Sequence, residues 1–176
     1  LCTGAVPINC GQTIIASTSG ANLDAVATCG TTLNTAPGVW YSFAGDGFST
    51  TLSLCGSGFD TKIGVFSGTC TGLVCVTGND DFCSLQSQVT FTSVVGTNYF
   101  VLVTGFATNS GAFTLARTCV LPPCLPTTVT PAAPTICEGA IQQLTASSSN
   151  PGNPPAIWTP VTELYSNAAA TIPYVA

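Results

Sequence analysis

Residues 89–118, VTFTSVVGTNYFVLVTGFATNSGAFTLART, contain three strand patterns separated by two turn patterns. The first pattern alternates Val and Phe with Thr, which predicts a strand with one buried and one solvent-facing side. The second, YFVLV at 99–103, is apolar on both faces, so we expect it at the centre of a sheet. The sequences Gly-Thr-Asn at 96–98 and Asn-Ser-Gly at 109–111 are typical of turns. The stretch therefore predicts consecutive β-strands.

Period-two alternation recurs outside this stretch, whereas helical periodicity is nearly absent. Clusters of Gly, Asn, Asp and Ser separate the segments. Strands are predicted at residues 13–17, 39–44, 50–55, 63–67, 74–77, 89–94, 99–104 and 112–118. Short, regularly spaced strands of this kind predict an all-β fold, an antiparallel β-sandwich of jelly-roll-like form, over residues 1–119.

The amino-acid composition changes after this domain. Residues 120–134, VLPPCLPTTVTPAAP, contain five prolines and are predicted to be a Pro-rich linker that cannot sit inside a sheet. Residues 135–176 resume a β pattern and include Trp158, a residue type that anchors many immunoglobulin-like sandwiches. Since a complete sandwich of that type needs about 100 residues, we expect a partial Ig-like β domain. Its missing strands are either cut from this sequence or supplied from elsewhere.

The ten cysteines favour disulfides over metal thiolates, because the chain has no CxxC pair and no His. This predicts an oxidising compartment, extracellular or at the cell surface. The first residues, LCTGAVPINC, lack the basic and apolar regions of a signal peptide, which suggests the start of a mature product. Apolar runs are too short to insert into a membrane, which needs about 20 residues for a helix.

Charge excludes further classes of function. The net charge is −5, and Lys62 and Arg117 are the only basic residues. Nucleic-acid binding needs a basic face that releases counterions, so nucleic acid is not an expected partner. The same scarcity of basic residues argues against binding to anionic membrane surfaces.

The disulfide pairing is not fixed by the sequence. Cys70 and Cys75 flank a short turn and could clamp a hairpin, in which case Cys55 and Cys83 tie the loops on either side. Two further bridges are expected within the set Cys2, Cys10, Cys29 and Cys119, and one between Cys124 and Cys137. A reactive thiol is not expected, because neither His nor a cationic cluster is present to lower a thiol pKa.

Three motifs in order carry a resemblance to a known family. They are CGTTLNTAPGVWYSF at 29–43, CGSGFDTKIGVFSGTC at 55–70 and GNDDFC at 78–83, followed by YFVLVTGF and GAFTLARTC. Together they resemble the β-sandwich modules related to the bacterial pre-peptidase C-terminal domain. PTICEGAIQQLTA and IWTPVTEL resemble the first strands of Ig-like or PKD-like repeats of long adhesins. The resemblance implies a non-catalytic module that spaces, attaches or assembles.

A calcium site is the first candidate within the stretch 55–83. Hard cations take several oxygen ligands, which Asp60, Asn79, Asp80 and Asp81 could supply together with backbone carbonyls. The alternative is structural: these residues close turns through Asx hydrogen bonds. Lys62 points to the same face as Asp60 on an extended strand and could neutralise it by an ion pair instead.

Catalysis is not expected. Without His, a nucleophile would depend on Lys62 or on a carboxylate as its base, and a Lys beside an Asp is more simply an ion pair. Asp80 and Asp81 are the only adjacent acidic pair, and neighbours on a strand face opposite ways. No catalytic residue is therefore predicted.

Aromatic side chains on a β-sandwich can stack on sugar rings, so a carbohydrate-binding module of a secreted enzyme is the alternative function. Most of the aromatic residues alternate with small polar residues, which indicates core positions. The candidates are Trp40, Tyr41, Phe43, Phe66, Phe82, Phe91, Tyr99, Phe100 and Phe113.

The favoured hypothesis is a non-catalytic extracellular structural module of a bacterial surface protein, in adhesion or as a self-assembling appendage or filament subunit. An incomplete sandwich exposes strand edges that a neighbour's strand could complete. Residues 1–8 or the Pro-rich linker are the expected contact.

Overall fold

The computed structural model describes residues 2–121, 128–130 and 145–147. The chain divides into two compact units, Leu1–Pro122 and Pro123–Ala176. The first unit begins with a 3₁₀ turn at Cys2–Gly4 and then contains only strands. These are β1 (Val6–Pro7), β2 (Thr13–Ser17), β3 (Val39–Ala44), β4 (Ser49–Ser53), β5 (Thr61–Thr69), β6 (Gly72–Asn79), β7 (Gln88–Thr92), β8 (Asn98–Gly105) and β9 (Ala112–Val120).

The strands pair in nested order around the β5–β6 hairpin. β5 pairs with β6, β4 with β7, β3 with β8 and β2 with β9, all antiparallel. A long hairpin of this kind rolls up when β8 also pairs with β5 and β9 with β4. The result is two sheets, β1-β3-β8-β5-β6 and β2-β9-β4-β7. This is a jelly roll, so the predicted all-β sandwich is confirmed.

Each strand predicted for the first domain is present. Two of them, Thr13–Ser17 and Val39–Ala44, have the predicted bounds, and the others differ by a few residues at their ends. The apolar run at 99–103 lies in β8, which has β3 on one side and β5 on the other. Its predicted central position is therefore confirmed.

The run is apolar on both faces because the five-stranded sheet is covered on both sides. Val101 and Val103 point into the main core between the two sheets. Leu102 points the other way, into a second core with Trp40 and Phe66. Residues of the 3₁₀ turn and of the long β2–β3 connection cover this outer core.

The second unit shows one two-stranded antiparallel sheet within its described residues. β10 (Thr128–Thr130) pairs with β11 (Thr145–Ser147). The expectation that 120–134 is linker throughout is wrong for these three residues, which contain no proline; prolines flank the segment at 126 and 131. In a two-stranded sheet both strands are edges, where such neighbours are tolerated. The rest of the predicted Ig-like domain, 135–176, lies outside the described residues, as do Cys124 and Cys137.

Four disulfides fasten the first unit: Cys2–Cys70, Cys10–Cys119, Cys29–Cys75 and Cys55–Cys83. The predicted Cys55–Cys83 bridge is confirmed. Only one bridge, rather than two, forms within the set Cys2, Cys10, Cys29 and Cys119. Disulfides of this number are typical of proteins that fold in an oxidising compartment.

The predicted Cys70–Cys75 clamp is wrong, and the hairpin register gives the reason. Thr69 pairs with Gly72, so Cys70 lies in the two-residue turn. Cys75 lies three residues along β6, about 10 Å further at the rise of an extended strand. Each cysteine instead reaches a segment that packs on the outer face of the sheet, Cys70 to Cys2 and Cys75 to Cys29.

The N-terminal segment is held by its own domain. Cys2 is bonded to Cys70, β1 runs parallel to β3, and Ile8 is buried in the main core. Donation of residues 2–8 to a neighbouring subunit would therefore break a disulfide and empty a core position. β1 is nevertheless an edge strand, and the expected contact of residues 1–8 with a neighbouring subunit stays a prediction.

Arg117 on β9 is buried and joins several distant segments. Its Nη2 lies 3.1 Å from Asp46 Oδ2, and its Nη1 donates to the carbonyl of Ile8 at 3.1 Å. The ring of Phe43 lies 3.8 Å from the guanidinium carbon. Asp46 Oδ1 also accepts a hydrogen bond from Ser93 Oγ at 2.8 Å. This network ties the β3–β4 turn, the end of β7 and the N-terminal segment to β9.

Asp46→Asn is predicted to remove a pH-dependent part of the stability. Burial raises the pKa of Asp46, but the Phe48 N–H, Ser93 and Arg117 together hold it below its ordinary value. A lowered folded pKa gives stability that is present above the unfolded pKa of about 3.9 and is lost as the pH falls through the folded pKa. We expect the variant to lose about 1–3 kcal/mol at neutral pH and its deficit to shrink in acid.

Urea unfolding at a series of pH values from neutral to strongly acidic measures this difference. The exposed Asp81 provides the control, and Asp81→Asn should change the free energy of unfolding by less than about 0.5 kcal/mol at neutral pH. A deficit of Asp46→Asn that stays constant at every pH would contradict the assignment.

Candidate functional site

The acidic corner, which we define as Asp60, Lys62, Asp80, Asp81 and Phe106, lies at the open end of the β5–β6 hairpin. Asp60 immediately precedes β5, and Asp80 and Asp81 immediately follow β6. Ile63 pairs with Asn79 in the antiparallel register, so the start of β5 and the end of β6 lie side by side. The hairpin therefore brings together residues that are about 20 positions apart in the sequence.

The three carboxylates are close neighbours. One oxygen from each of Asp60, Asp80 and Asp81 lies within 4.8 Å of the others. The expectation that Asp80 and Asp81 face opposite ways is wrong, because β6 ends at Asn79 and strand alternation does not continue beyond it. The group is the kind of oxygen cluster that can hold a hard cation.

Lys62 places an ammonium group beside this cluster. Its Nζ lies 3.2 Å from Asp80 Oδ2, and its side chain is only 7% exposed. Nζ also donates to the carbonyl of Thr32 at 3.3 Å and lies 4.8 Å from the centroid of the Phe106 ring. The predicted ion pair is therefore present, but its partner is Asp80 and not Asp60.

The β2–β3 connection supplies the outer wall of the corner. Gly30 has a φ of +67°, and its backbone approaches Gly78 so closely that a Cβ at either position would clash. The Cys29–Cys75 disulfide holds the same contact. The neighbouring Thr31 Oγ1 then donates to Asp80 Oδ2 at 3.4 Å.

The surroundings of Asp60 raise the pKa of its carboxyl group. Burial, and then the charges of Asp80 and Asp81, raise the pKa of Asp60, while Lys62 opposes them. Asp60 Oδ1 and Asp80 Oδ1 are buried and have no hydrogen-bond partner among the described residues. Two buried oxygens of this kind retain unused capacity to accept a proton or a ligand.

Asn79, the fourth predicted calcium ligand, is engaged with its neighbours. Its Oδ1 accepts from the backbone N–H of Gln88 at 3.2 Å, and its Nδ2 donates to the carbonyl of Asp81 at 3.4 Å. These contacts shape the chain after β6. They agree with the alternative to calcium binding, in which these polar residues close turns through hydrogen bonds.

Two aromatic side chains at this end of the hairpin are exposed: Phe106, which is part of the corner, and Phe82, which follows Asp81 in the chain. Phe82 is 63% exposed, and Phe106 is 47% exposed, with its N–H bonded to the carbonyl of Asp60. Most of the other aromatic candidates are buried, as predicted; Phe91 and Phe100 are partly buried against the cores. Phe106 was missing from the candidates, although its place after a Gly at the end of a strand pattern could have signalled an exposed position.

A cleft of about 430 Å³ lies elsewhere, beside β1 and β3. Ile8, Ser42, Asn98 and Arg117 are among its lining residues. The guanidinium of Arg117 is already paired with Asp46 and with the carbonyl of Ile8. This cleft therefore offers a ligand less free charge than the acidic corner does.

Both basic residues of the chain are buried, Lys62 in the corner and Arg117 in the sandwich. The surface of the first unit thus has acidic groups without a basic patch, the opposite of a nucleic-acid interface.

Within the described residues, no helix is long and apolar enough to cross a membrane. Comparison of the chain with models of protein families, with curated proteins and with solved structures found no match.

Calcium binding at Asp60, Asp80 and Asp81 stays a prediction, and Lys62→Met tests it. Because Lys62 lies against Asp80 Oδ2 and keeps a cation from that oxygen, we expect calcium to raise the unfolding midpoint of Lys62→Met by more than that of the unchanged protein. Each protein is melted in calcium and in chelator, and only the difference within each protein is compared. Equal differences, or none in either protein, would contradict a cation site formed by these carboxylates.

Proposed function

We propose that the chain is a non-catalytic extracellular structural module of a bacterial surface protein, acting in adhesion or as a self-assembling subunit. The observation that carries the proposal is the set of four disulfides, which fastens a nearly uncharged jelly roll. Three of the four cross-link the β5–β6 hairpin or its flanking turns to other segments or to each other. Such cross-links suit a protein that holds its shape outside the cell.

Exposed apolar side chains on edge strands support self-association. β6 is an edge of the five-stranded sheet, and its Val74 is 61% exposed, with Val76 two residues away on the same strand. β2 is an edge of the other sheet and exposes Ile15. Natural proteins usually protect such edges with charge, and this chain has almost none to place there. A strand from a neighbouring subunit would cover the β6 edge.

Val74→Lys tests assembly through this edge. A charge on the edge strand should lower the assembled fraction about tenfold or more, measured by light scattering after size exclusion over rising protein concentration and by electron microscopy. Leu23→Lys is the matched control, because Leu23 is equally exposed at 60% but lies in a connection. If the unchanged chain stays a monodisperse monomer at high concentration, the self-assembly version fails.

A second candidate function is carbohydrate binding, which the exposed pair Phe82 and Phe106 favours. Phe106 belongs to the acidic corner and Phe82 follows Asp81 in the chain, and the carboxylates of the corner can accept hydrogen bonds from sugar hydroxyls. A flat apolar ring beside polar acceptors matches the two faces of a sugar ring. In this version the corner is the binding surface, and the disulfides hold it in shape.

Phe106→Ala and Phe82→Ala test the second function on a glycan array. Each is expected to lower the signal about tenfold or more on any glycan that the unchanged protein binds, through loss of ring stacking. Ile15→Ala, on the other sheet, is the control and should bind as well as the unchanged protein. An array without signal, or equal losses in all three variants, would reject carbohydrate binding at the corner.

A further inference from the structure

Lys62 is a primary amine buried against a carboxyl group. Its side chain is more than nine-tenths buried, and Nζ lies 3.2 Å from Asp80 Oδ2. The carboxyl carbon of Asp80 is one bond beyond that oxygen. Groups that are held this close and cannot diffuse apart have very high effective concentrations, which favours bond formation between them.

The surroundings fix both partners in place. Thr32 holds Nζ through its carbonyl oxygen, and Thr31 holds Asp80 Oδ2 through its hydroxyl. The Phe106 ring covers Nζ at 4.8 Å. Asp80 Oδ1 is buried and has no hydrogen-bond partner among the described residues, so it is not retained by other contacts. Both groups are thus held in position, and Nζ of Lys62 and Oδ1 of Asp80 are buried, while the Asp80 side chain as a whole is 28% exposed.

We propose that Lys62 and Asp80 condense into an intramolecular amide, an isopeptide cross-link between the start of β5 and the end of β6. A proton moves from the ammonium to the carboxylate, and the Nζ lone pair attacks Cγ, forming the Nζ–Cγ bond. One Cγ–O bond then breaks. The oxygen leaves as water with two of the three original ammonium protons, and the third stays on the amide nitrogen. Charge and atoms balance, and no oxidant or co-reactant is needed.

Asp60 is placed to carry protons between the two groups. One of its carboxyl oxygens lies within 4.8 Å of an Asp80 oxygen, and Asp60 is two residues from Lys62 along the chain. A carboxyl group beside the reacting pair can accept a proton from the amine and return it to the departing oxygen. Asp60 thus serves the condensation without entering the product.

The cross-link would add a second covalent bond at the open end of the hairpin. Cys2–Cys70 holds the turn, Cys29–Cys75 holds the middle of β6, and Cys55–Cys83 joins the loops that flank the open end. An amide at this end would persist under reducing conditions that open every disulfide. This property goes beyond the proposed structural function.

Intact mass and trypsin digestion of the full, folded chain test the proposal. Trypsin cuts after Lys and Arg, and the chain has one of each, so the unlinked chain is cut at Lys62 and at Arg117. After reduction and denaturation, we expect a mass lower than that of the sequence by one water, with cleavage at Arg117 only. Cleavage at Arg117 shows that the protease is active.

Lys62→Arg is the matched control, because a guanidinium keeps the ion pair but stays protonated and does not condense. It should show the full mass and be cut at both sites, as should Asp80→Ala. Full mass with cleavage at Lys62 in the unchanged protein would overturn the proposal. A mass lower by one water together with cleavage at Lys62 would also overturn it, because the water would then have come from another residue. Both results on the unchanged protein hold even if a variant does not fold.

Discussion

The register of the β5–β6 hairpin is the constraint on which the rest of the structure depends. Pairing of Thr69 with Gly72 sets a two-residue turn, and the remaining strands nest outward from it until the ribbon rolls into two sheets. The same register places Cys70 at the tip and the acidic residues at the open end. A shift by one residue would turn each side chain to the opposite face and break both the core and the disulfides.

Because the chain has few charged residues, each ion pair has a large share in holding its segments together. The chain has two basic residues, and the structure buries both of them against a carboxylate, Arg117 with Asp46 and Lys62 with Asp80. A buried charge is tolerated only when it is paired and hydrogen-bonded, so each pair fixes the segments that supply its partners. The exposed surface of the first unit carries hydroxyls, amides, acidic groups and apolar side chains, and disulfides rather than charge networks fasten its segments.

Much of the fold could be predicted from local pattern, whereas the site could be predicted only in part. Alternation located the strands of the first unit, and the apolar run at 99–103 showed that β8 is covered on both faces. The Cys55–Cys83 bridge was predictable because both cysteines lie in loops that flank the same hairpin. The exposed Phe106 was missed, because exposure of an aromatic side chain after a strand depends on which segments pack over it.

The sequence by itself determined that the chain is all-β, rich in disulfides and nearly without positive charge, because strand period and composition are local properties. The tertiary structure decided which cysteines meet, that Asp80 rather than Asp60 pairs with Lys62, and that three carboxylates gather at one corner. These contacts join segments far apart in the chain. Hairpin register and the rolling of the ribbon bring them together, and neither is encoded in the spacing of the residues alone.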